Sequence, residues 1–489
     1  MELTQLINNV KAIQVIGDIQ RKDISGIFYD SRKVITNSVF VAMKGFNSDG
    51  HNYILDAINK GAIAVVLENN ESVPDEIFIH DKVAKILVNN SRVALAELSN
   101  DFFKQPSKKL KLIGITGTNG KTTTSYFIRN ILEASGEKTG LIGTIANYIG
   151  DKEIKATLTT PESSDLNELF LEMLNEGCKS AVMEVSSHSL VLNRVHGLDF
   201  NSAVFTNITS DHLDFHQNFE NYFNAKKIIF DDLSPSAFGV YNIDDKNSSN
   251  LIKDSNAKLF SYGTSSNADF LLKEISFDLN GTSFVLEYNG KKYNAFTSLI
   301  GEFNAYNAAA AFASTVLLGI DEGTAIDGIR TTKQVPGRFE VLRTGSKKVI
   351  IDYSHTADSL EKALKSIKAI VKDKHPVYTI FGCGGNRDKT KRPVMGKIAS
   401  ELSDRIVITS DNPRFENPMD IIKEIEAGIE KNNYSIIENR DNAIRSAIEN
   451  SEDDAVILIA GKGHEDYQEI KGTRNHFSDR ETAEKYLKR

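Results

Sequence analysis

Short apolar runs bounded by polar or glycine-rich turns recur along the whole chain and predict strands alternating with helices. Up to about residue 105 such runs include Val39-Phe40-Val41-Ala42 and Ala62-Ile63-Ala64-Val65-Val66, with no nucleotide motif between them, which predicts a small α/β unit. Lys104-Gln105-Pro106-Ser107-Lys108-Lys109 joins proline to exposed charge and sets a boundary near 106. Next come Leu112-Ile113-Gly114-Ile115, Ala181-Val182-Met183-Glu184-Val185 and Ala203-Val204-Phe205, separated by helical segments, which implies a mainly parallel sheet with right-handed crossovers. Beyond about residue 333, Val349-Ile350-Ile351, Val377-Tyr378-Thr379-Ile380, Ile406-Val407-Ile408 and Ala455-Val456-Ile457-Leu458-Ile459 read as strands. Leu360, Ala363, Leu364, Ile367 and Val371 recur at the spacing of an amphipathic helix between the first two. The expected architecture is α/β in three domains: 1–106, 107–332 and a doubly wound 333–489.

The chain of 489 residues is too long for one ordinary core. A formal charge of −8, with no sustained basic run, disfavours nucleic acid as a main partner. Only two cysteines, Cys178 and Cys383, occur, far apart, which suits a reducing compartment rather than a disulfide scaffold. The N-terminus lacks an export signal and no run reaches the ~18 apolar residues of a membrane span, so a cytoplasmic protein without membrane contact is expected.

The most informative stretch is Gly114-Ile115-Thr116-Gly117-Thr118-Asn119-Gly120-Lys121-Thr122-Thr123, which sets glycines, a lysine and hydroxyls directly after a strand. Converging backbone N–H groups and a helix N-terminus hold phosphates, Lys121 neutralises terminal phosphate oxygens and Thr122 offers an oxygen to Mg²⁺. The spacing is a variant of the usual P-loop, because Ile115 stands five residues before Gly120. ATP or a related triphosphate is therefore the expected ligand.

Glu184 ends an apolar strand, as the acid completing a Mg²⁺ shell does, although a surface carboxylate is the bland alternative. His212, flanked by Asp211 and Asp214, could ligate a second metal or be structural, and Lys226 by composition alone is a solvated helix residue. Asn304 and Asn307 share one face of an alanine-rich helix, as amides reading a purine edge or capping a helix would. The C-terminal strands each run into a loaded loop: Asp352-Tyr353-Ser354-His355, Gly382 to Asp388, Ser410-Asp411-Asn412-Pro413-Arg414 and Gly461-Lys462-Gly463-His464-Glu465. Ligands bind at that rim of open α/β sheets. Arg338, Arg387, Lys391 and Arg392 with Asn412 and Glu465 suggest a zwitterionic substrate, with a solvated cluster the alternative for Lys391 and Arg392.

Taken in order, Thr118-Asn119-Gly120-Lys121-Thr122-Thr123, Glu184-Val185-Ser186-Ser187-His188, the run from Asn207 to His212, Phe303-Asn304 with Asn307, Pro336-Gly337-Arg338 and Asp352-Tyr353-Ser354-His355 resemble the Mur ligase family over essentially the whole chain. The resemblance implies a UDP-binding N-terminal domain, a central ATPase domain and a Rossmann-like C-terminal domain. It implies ATP-dependent amide-bond formation through an acyl phosphate, with Mg²⁺ held by Thr122, Glu184, His212 and a carbamate on Lys226. Gly117 to Thr123, Asn307, Arg338 and Asp352 are implied ATP contacts. Ser31, His51, Thr159, Thr160, Ser186 and Arg194 are implied contacts of UDP-N-acetylmuramoyl-L-alanyl-D-glutamate.

Asp411-Asn412-Pro413-Arg414 is similar to the signature of members that add meso-2,6-diaminopimelate rather than L-lysine. Arg387 and Arg414 would take the distal carboxylate, Asn412 the centre, and Glu465 with the Gly461 carbonyl the ammonium. A lysine-adding ligase, a folylpolyglutamate synthase-like ligase and a nucleotide-gated binding module remain alternatives, and a monomer is expected. Ala357, Asn386 and Leu192 depart from the family pattern without removing a proposed charge.

Overall fold

The computed structural model describes residues 1–20, 22–45, 48–344, 347–372 and 374–488. Three large sheets follow one another along the chain, and a two-stranded ribbon, Tyr467–Ile470 with Thr473–His476, comes after the last. The first is five-stranded and parallel except at the strand Ala12–Ile16. Its alternating residues face two ways: Val39, Val41, Ala64 and Val66 pack toward the helix Ser91–Phe102, and Phe40, Ala42, Val65 and Leu67 toward Ile54, Ala57 and Phe78.

The second sheet has eleven strands, with Lys111–Thr116 between Ser202–Phe205 and Ser180–Glu184 in parallel register. Ile113, Ile115, Val182 and Val204 meet the helices Lys121–Ala134 and Glu302–Leu317, while Leu112, Ala181, Met183 and Ala203 meet Ser163–Asn175 and Phe219–Asp231. Parallel strands buried on both faces read as unbroken apolar runs, which is why these were visible in the sequence. The antiparallel additions were not. Phe270–Asp278, Gly281–Tyr288 and Lys291–Thr297 form a meander at one edge, and Ala146–Ile149 pairs with Lys152–Lys155 at the other. Their outer residues are exposed, so polar side chains interrupt the pattern.

The third sheet runs in the order Glu340–Thr344, Lys347–Asp352, Val456–Ala460, Val377–Phe381, Arg405–Ile408, Tyr434–Ile436, antiparallel only at its first pair. The expected amphipathic helix spans Ala357–Val371, opened by a capping box between Thr356 and Ser359. Val456–Ala460 lies between two strands that precede it in the chain, so the loops after Asp352, Phe381 and Ala460 leave the sheet side by side. Among the described residues no helix is long and apolar enough to cross a membrane, and Cys178 and Cys383 are free and buried.

Candidate functional site

The phosphate loop leaves the strand Lys111–Thr116 and enters the helix Lys121–Ala134 through Gly120, whose φ is +89°. A Cβ on Gly120 would lie 2.4 Å from Asn307 Oδ1, so the loop rests directly on that amide. Gly120→Ala must strain a left-handed backbone and displace Asn307. A loss of about 1–2 kcal/mol of stability is expected from the backbone term alone, read as a lowered melting temperature by calorimetry.

Asn307 Nδ2 donates to Asn304 Oδ1 at 3.1 Å, and Asn307 Oδ1 accepts from Thr124 Oγ1 at 3.4 Å. The pair thus braces the phosphate loop from the side of the helix Glu302–Leu317. Lys121 Nζ folds back onto the carbonyls of Gly117 and Thr118, each at 2.9 Å.

Thr122 Oγ1 donates to Glu184 Oε2 at 2.9 Å, and Thr144 holds the same carboxylate through its N–H (2.8 Å to Oε1) and its hydroxyl (3.1 Å to Oε2). Two buried oxygen donors in contact at the foot of a phosphate loop suit a hard cation. Thr144 follows the strand Thr139–Ile142 with no motif to mark it, and sequence reasoning missed it.

The other proposed metal ligands are not drawn to that point. Among the described residues no three acidic, imidazole or thiol groups converge as a metal cluster. His212 is exposed, with φ +54°, and its ring stands 4.9 Å from that of His188. Burial and the neighbouring His212 pull His188 down to about 4. Lys226 is 1% exposed rather than solvated, and its Nζ donates to the Gly117 carbonyl at 2.8 Å over the Tyr222 ring. Burial, helped by the charge of Lys121, holds its ammonium well below the usual lysine range.

Beside the loop, Thr160 Oγ1 donates to the Glu184 carbonyl and accepts from the Ser186 N–H, while Thr159 and Thr144 hydroxyls meet at 3.0 Å. Arg194 donates to the Thr160 carbonyl and pairs with Glu162, which Arg92 of the N-terminal unit also approaches. Thr159, Thr160, Ser186 and Arg194 therefore form one polar wall next to Glu184. Ser31 and His51 lie in the N-terminal unit, both buried. His51 spends both ring nitrogens internally, Nδ1 on Asp49 and Nε2 on the N–H groups of Glu68 and Asn69, so it shapes its loop rather than offering a free nitrogen.

The C-terminal unit docks against the phosphate loop. Arg338 Nη2 donates to Thr122 Oγ1 at 3.2 Å while its guanidinium stacks on Tyr353, and Asn119 Nδ2 donates to Asp358 at 2.8 Å. Asp352 accepts from the Phe339 N–H and the Ser354 hydroxyl beside Arg338.

At the rim of the third sheet, Asn412 Nδ2 donates to Glu465 Oε2 at 2.8 Å and Arg414 Nη1 to the Gly385 carbonyl at 2.8 Å. A Cβ on Gly384 would sit 3.0 Å from Arg414 Nη1 and 3.9 Å from Arg387 Cγ, so both arginines border one small space that only glycine leaves open. Arg392 is not a solvated charge. It is fully buried, bound to Glu416, Glu424 and the Gly384 carbonyl, and holds Glu416 down to about 2. Lys391 donates to the His355 carbonyl. Sequence reasoning also missed Lys462 and Arg440, both fully buried near Asp411, because nothing local in the sequence separates a buried cation from a surface one.

Family models match in three places: Mur ligase family catalytic domain over residues 23–103, Mur ligase middle domain over 115–315, and Mur ligase glutamate ligase domain over 337–463. The UDP-N-acetylmuramoyl-L-alanyl-D-glutamate–2,6-diaminopimelate ligase 1 of Clostridium acetobutylicum is 44% identical, covering 100% of this chain and 99% of that protein. A solved structure of a UDP-N-acetylmuramoyl-L-alanyl-D-glutamate–2,6-diaminopimelate ligase superposes with a TM-score of 0.71 at 29% identity, over 100% of this chain and 99% of the other. The MurF ligase of Thermotoga maritima in complex with ADP, 19% identical, shares the fold with a TM-score of 0.64 over 94% of this chain and 97% of its own.

Proposed function

The chain belongs to the Mur ligase family, and on that premise we propose that it joins meso-2,6-diaminopimelate to UDP-N-acetylmuramoyl-L-alanyl-D-glutamate with cleavage of ATP to ADP and phosphate. The observation that carries the acceptor is the placing of Arg387 and Arg414 on either side of Gly384, on the same rim as the Asn412–Glu465 contact. Diaminopimelate has a distal carboxylate for the arginines and an ammonium for Glu465; lysine lacks the carboxylate and leaves the arginines without that partner.

In this reading the wall of Thr159, Thr160, Ser186 and Arg194 orients the muramoyl dipeptide so that its D-glutamyl γ-carboxylate faces the ATP γ-phosphate. Oxygen of that carboxylate attacks phosphorus, ADP leaves, and the amine of diaminopimelate then displaces phosphate from the acyl carbon, losing a proton as the amide forms. Lys121 swings from the Gly117 and Thr118 carbonyls to the terminal phosphates, and Arg338, already on Thr122, adds a second positive charge. Mg²⁺, held by Thr122 and Glu184, would neutralise phosphate charge when bound. Lys226 as an ammonium would repel a cation; burial lowers its pKa and so favours the amine, which can add CO₂ and lose a proton to give the carbamate oxygen donor that His212 and Glu184 would need beside them. The division of labour follows the boundaries near 106 and 333, with UDP on the first unit, ATP on the second and amino acid on the third.

An amino-acid panel with ATP, Mg²⁺ and the UDP-muramoyl dipeptide tests this reading, with ADP release and product mass as readouts. Diaminopimelate is expected to exceed L-lysine by about 100-fold or more in kcat/KM. Equal use of the two amino acids sinks the specificity, and no ADP with any acceptor sinks the reaction.

A further inference from the structure

Lys462 stands at the centre of the acceptor pocket, outside every contact so far given to the substrates. It is fully buried, and its ammonium meets three oxygens: Asn412 Oδ1 at 3.0 Å, Glu465 Oε2 at 3.2 Å and Asp411 Oδ1 at 3.3 Å. An ammonium has three N–H donors, so all of them are used. Asn412 closes the figure by donating to the same Glu465 Oε2 at 2.8 Å, while its Oδ1 also accepts from the Glu469 N–H at 2.9 Å. With two donors on Asn412 Oδ1 and an acceptor at its nitrogen, the amide has one orientation. Two donors likewise converge on Glu465 Oε2, and among the described residues no hydrogen bond reaches Oε1.

Charge points the same way. Asp411 and Glu465 bring two carboxylates to the pocket and Lys462 one ammonium, while Arg440 is matched by Asp479 and Arg414 by Glu469. One negative charge is left over, on the side where Glu465 Oε1 is free. Resting on the diaminopimelate reading above, we propose that Lys462 is the positioning residue of the acceptor pocket. It fixes the Asn412 amide and turns Glu465 so that Oε1 alone receives the substrate's ammonium. Without it, Asp411 and Glu465 face each other with nothing between them. One carboxyl then takes a proton, and the amide of Asn412 loses a donor that holds it in place. Burial and Asp411 already push Glu465 upward, and Lys462 opposes them.

Lys462→Met tests this by full steady-state kinetics in all three substrates. KM for diaminopimelate is expected to rise about 10- to 100-fold, with KM for ATP and for the UDP-muramoyl dipeptide within about threefold of wild type. Because Lys462 acts through Glu465 and Asn412, the double variant with Glu465→Gln should lose clearly less than the product of the two single losses. Should Lys462→Met melt below the assay temperature, Lys462→Gln, neutral but still a donor, carries the same expectation. A KM for diaminopimelate within about twofold of wild type, a fall in kcat without a change in that KM, or additive losses in the double variant would each overturn the inference. A wild-type chain that does not use diaminopimelate overturns the reading of the reaction and this inference together. A wild type that does, beside an unaffected variant, overturns this inference alone.

Discussion

Lys121→Met is expected to lower kcat by about 10²- to 10³-fold or more while the protein melts as wild type does. The side chain spends its donors on the carbonyls of Gly117 and Thr118, at the partly exposed tip of the loop. Water can take over at both oxygens, so its loss costs the fold little. In turnover the situation differs. Phosphoryl transfer asks the protein mainly to position and neutralise three charged oxygens, and Lys121 is the one phosphate-loop side chain that supplies positive charge. Binding of the UDP-muramoyl dipeptide, measured by calorimetry, should be unaffected, because its proposed wall at Thr160, Ser186 and Arg194 makes no contact with Lys121. Turnover within about tenfold of wild type would show that the loop does not do its work through this lysine.

The second large effect concerns stability. Arg440 and Asp479 are both fully buried and joined by two bonds, Nε to Oδ1 at 2.7 Å and Nη2 to Oδ2 at 2.8 Å, with Nη2 also on the Ala460 carbonyl. They tie the helix Arg440–Asn450 to the helix Asp479–Leu487 and to the end of the strand Val456–Ala460, next to the acceptor pocket. Asp479→Ala leaves a guanidinium in the core without its counter-charge, a change that costs about 3–5 kcal/mol. For a unit of this size that lowers its melting temperature by roughly 10 °C, measurable by calorimetry as a shift confined to the C-terminal unit. Removing both charges, in Arg440→Met with Asp479→Leu, should recover much of the loss, since the cost lies in the orphaned charge rather than in the missing attraction. A shift of less than about 3 °C in Asp479→Ala would mean that water reaches Arg440 after all.

How far the sequence carried depended on range. The phosphate loop, Glu184 and the loaded strand ends are local patterns, in which neighbours in the chain share one job, and they fall where the sheets place them. The antiparallel meander at 270–297 escaped because a half-exposed edge mixes polar with apolar residues. Lys226 shows the other limit. Its sequence context is an ordinary helix, and only the packing of Phe219–Asp231 against the phosphate loop turns it into a buried amine on the Gly117 carbonyl. The burial of Arg392, Arg440 and Lys462 escaped for the same reason, each being matched by partners in other elements. Asn307 lies against the phosphate loop, where its sequence context put it, but its contacts with Thr124 and Gly120 come from residues far away in the chain.

The grip of Asp358 on Asn119 has a mechanical consequence. The tip of the phosphate loop and the C-terminal unit are fastened to each other, with Arg338 on Thr122 as the neighbouring catch. Each catch is worth only about 1 kcal/mol, so thermal motion alone can spring them. Were the C-terminal unit to swing away, it would withdraw the positive charge of Arg338 from the cradle in the same stroke, and spent nucleotide would lose that hold as its exit cleared.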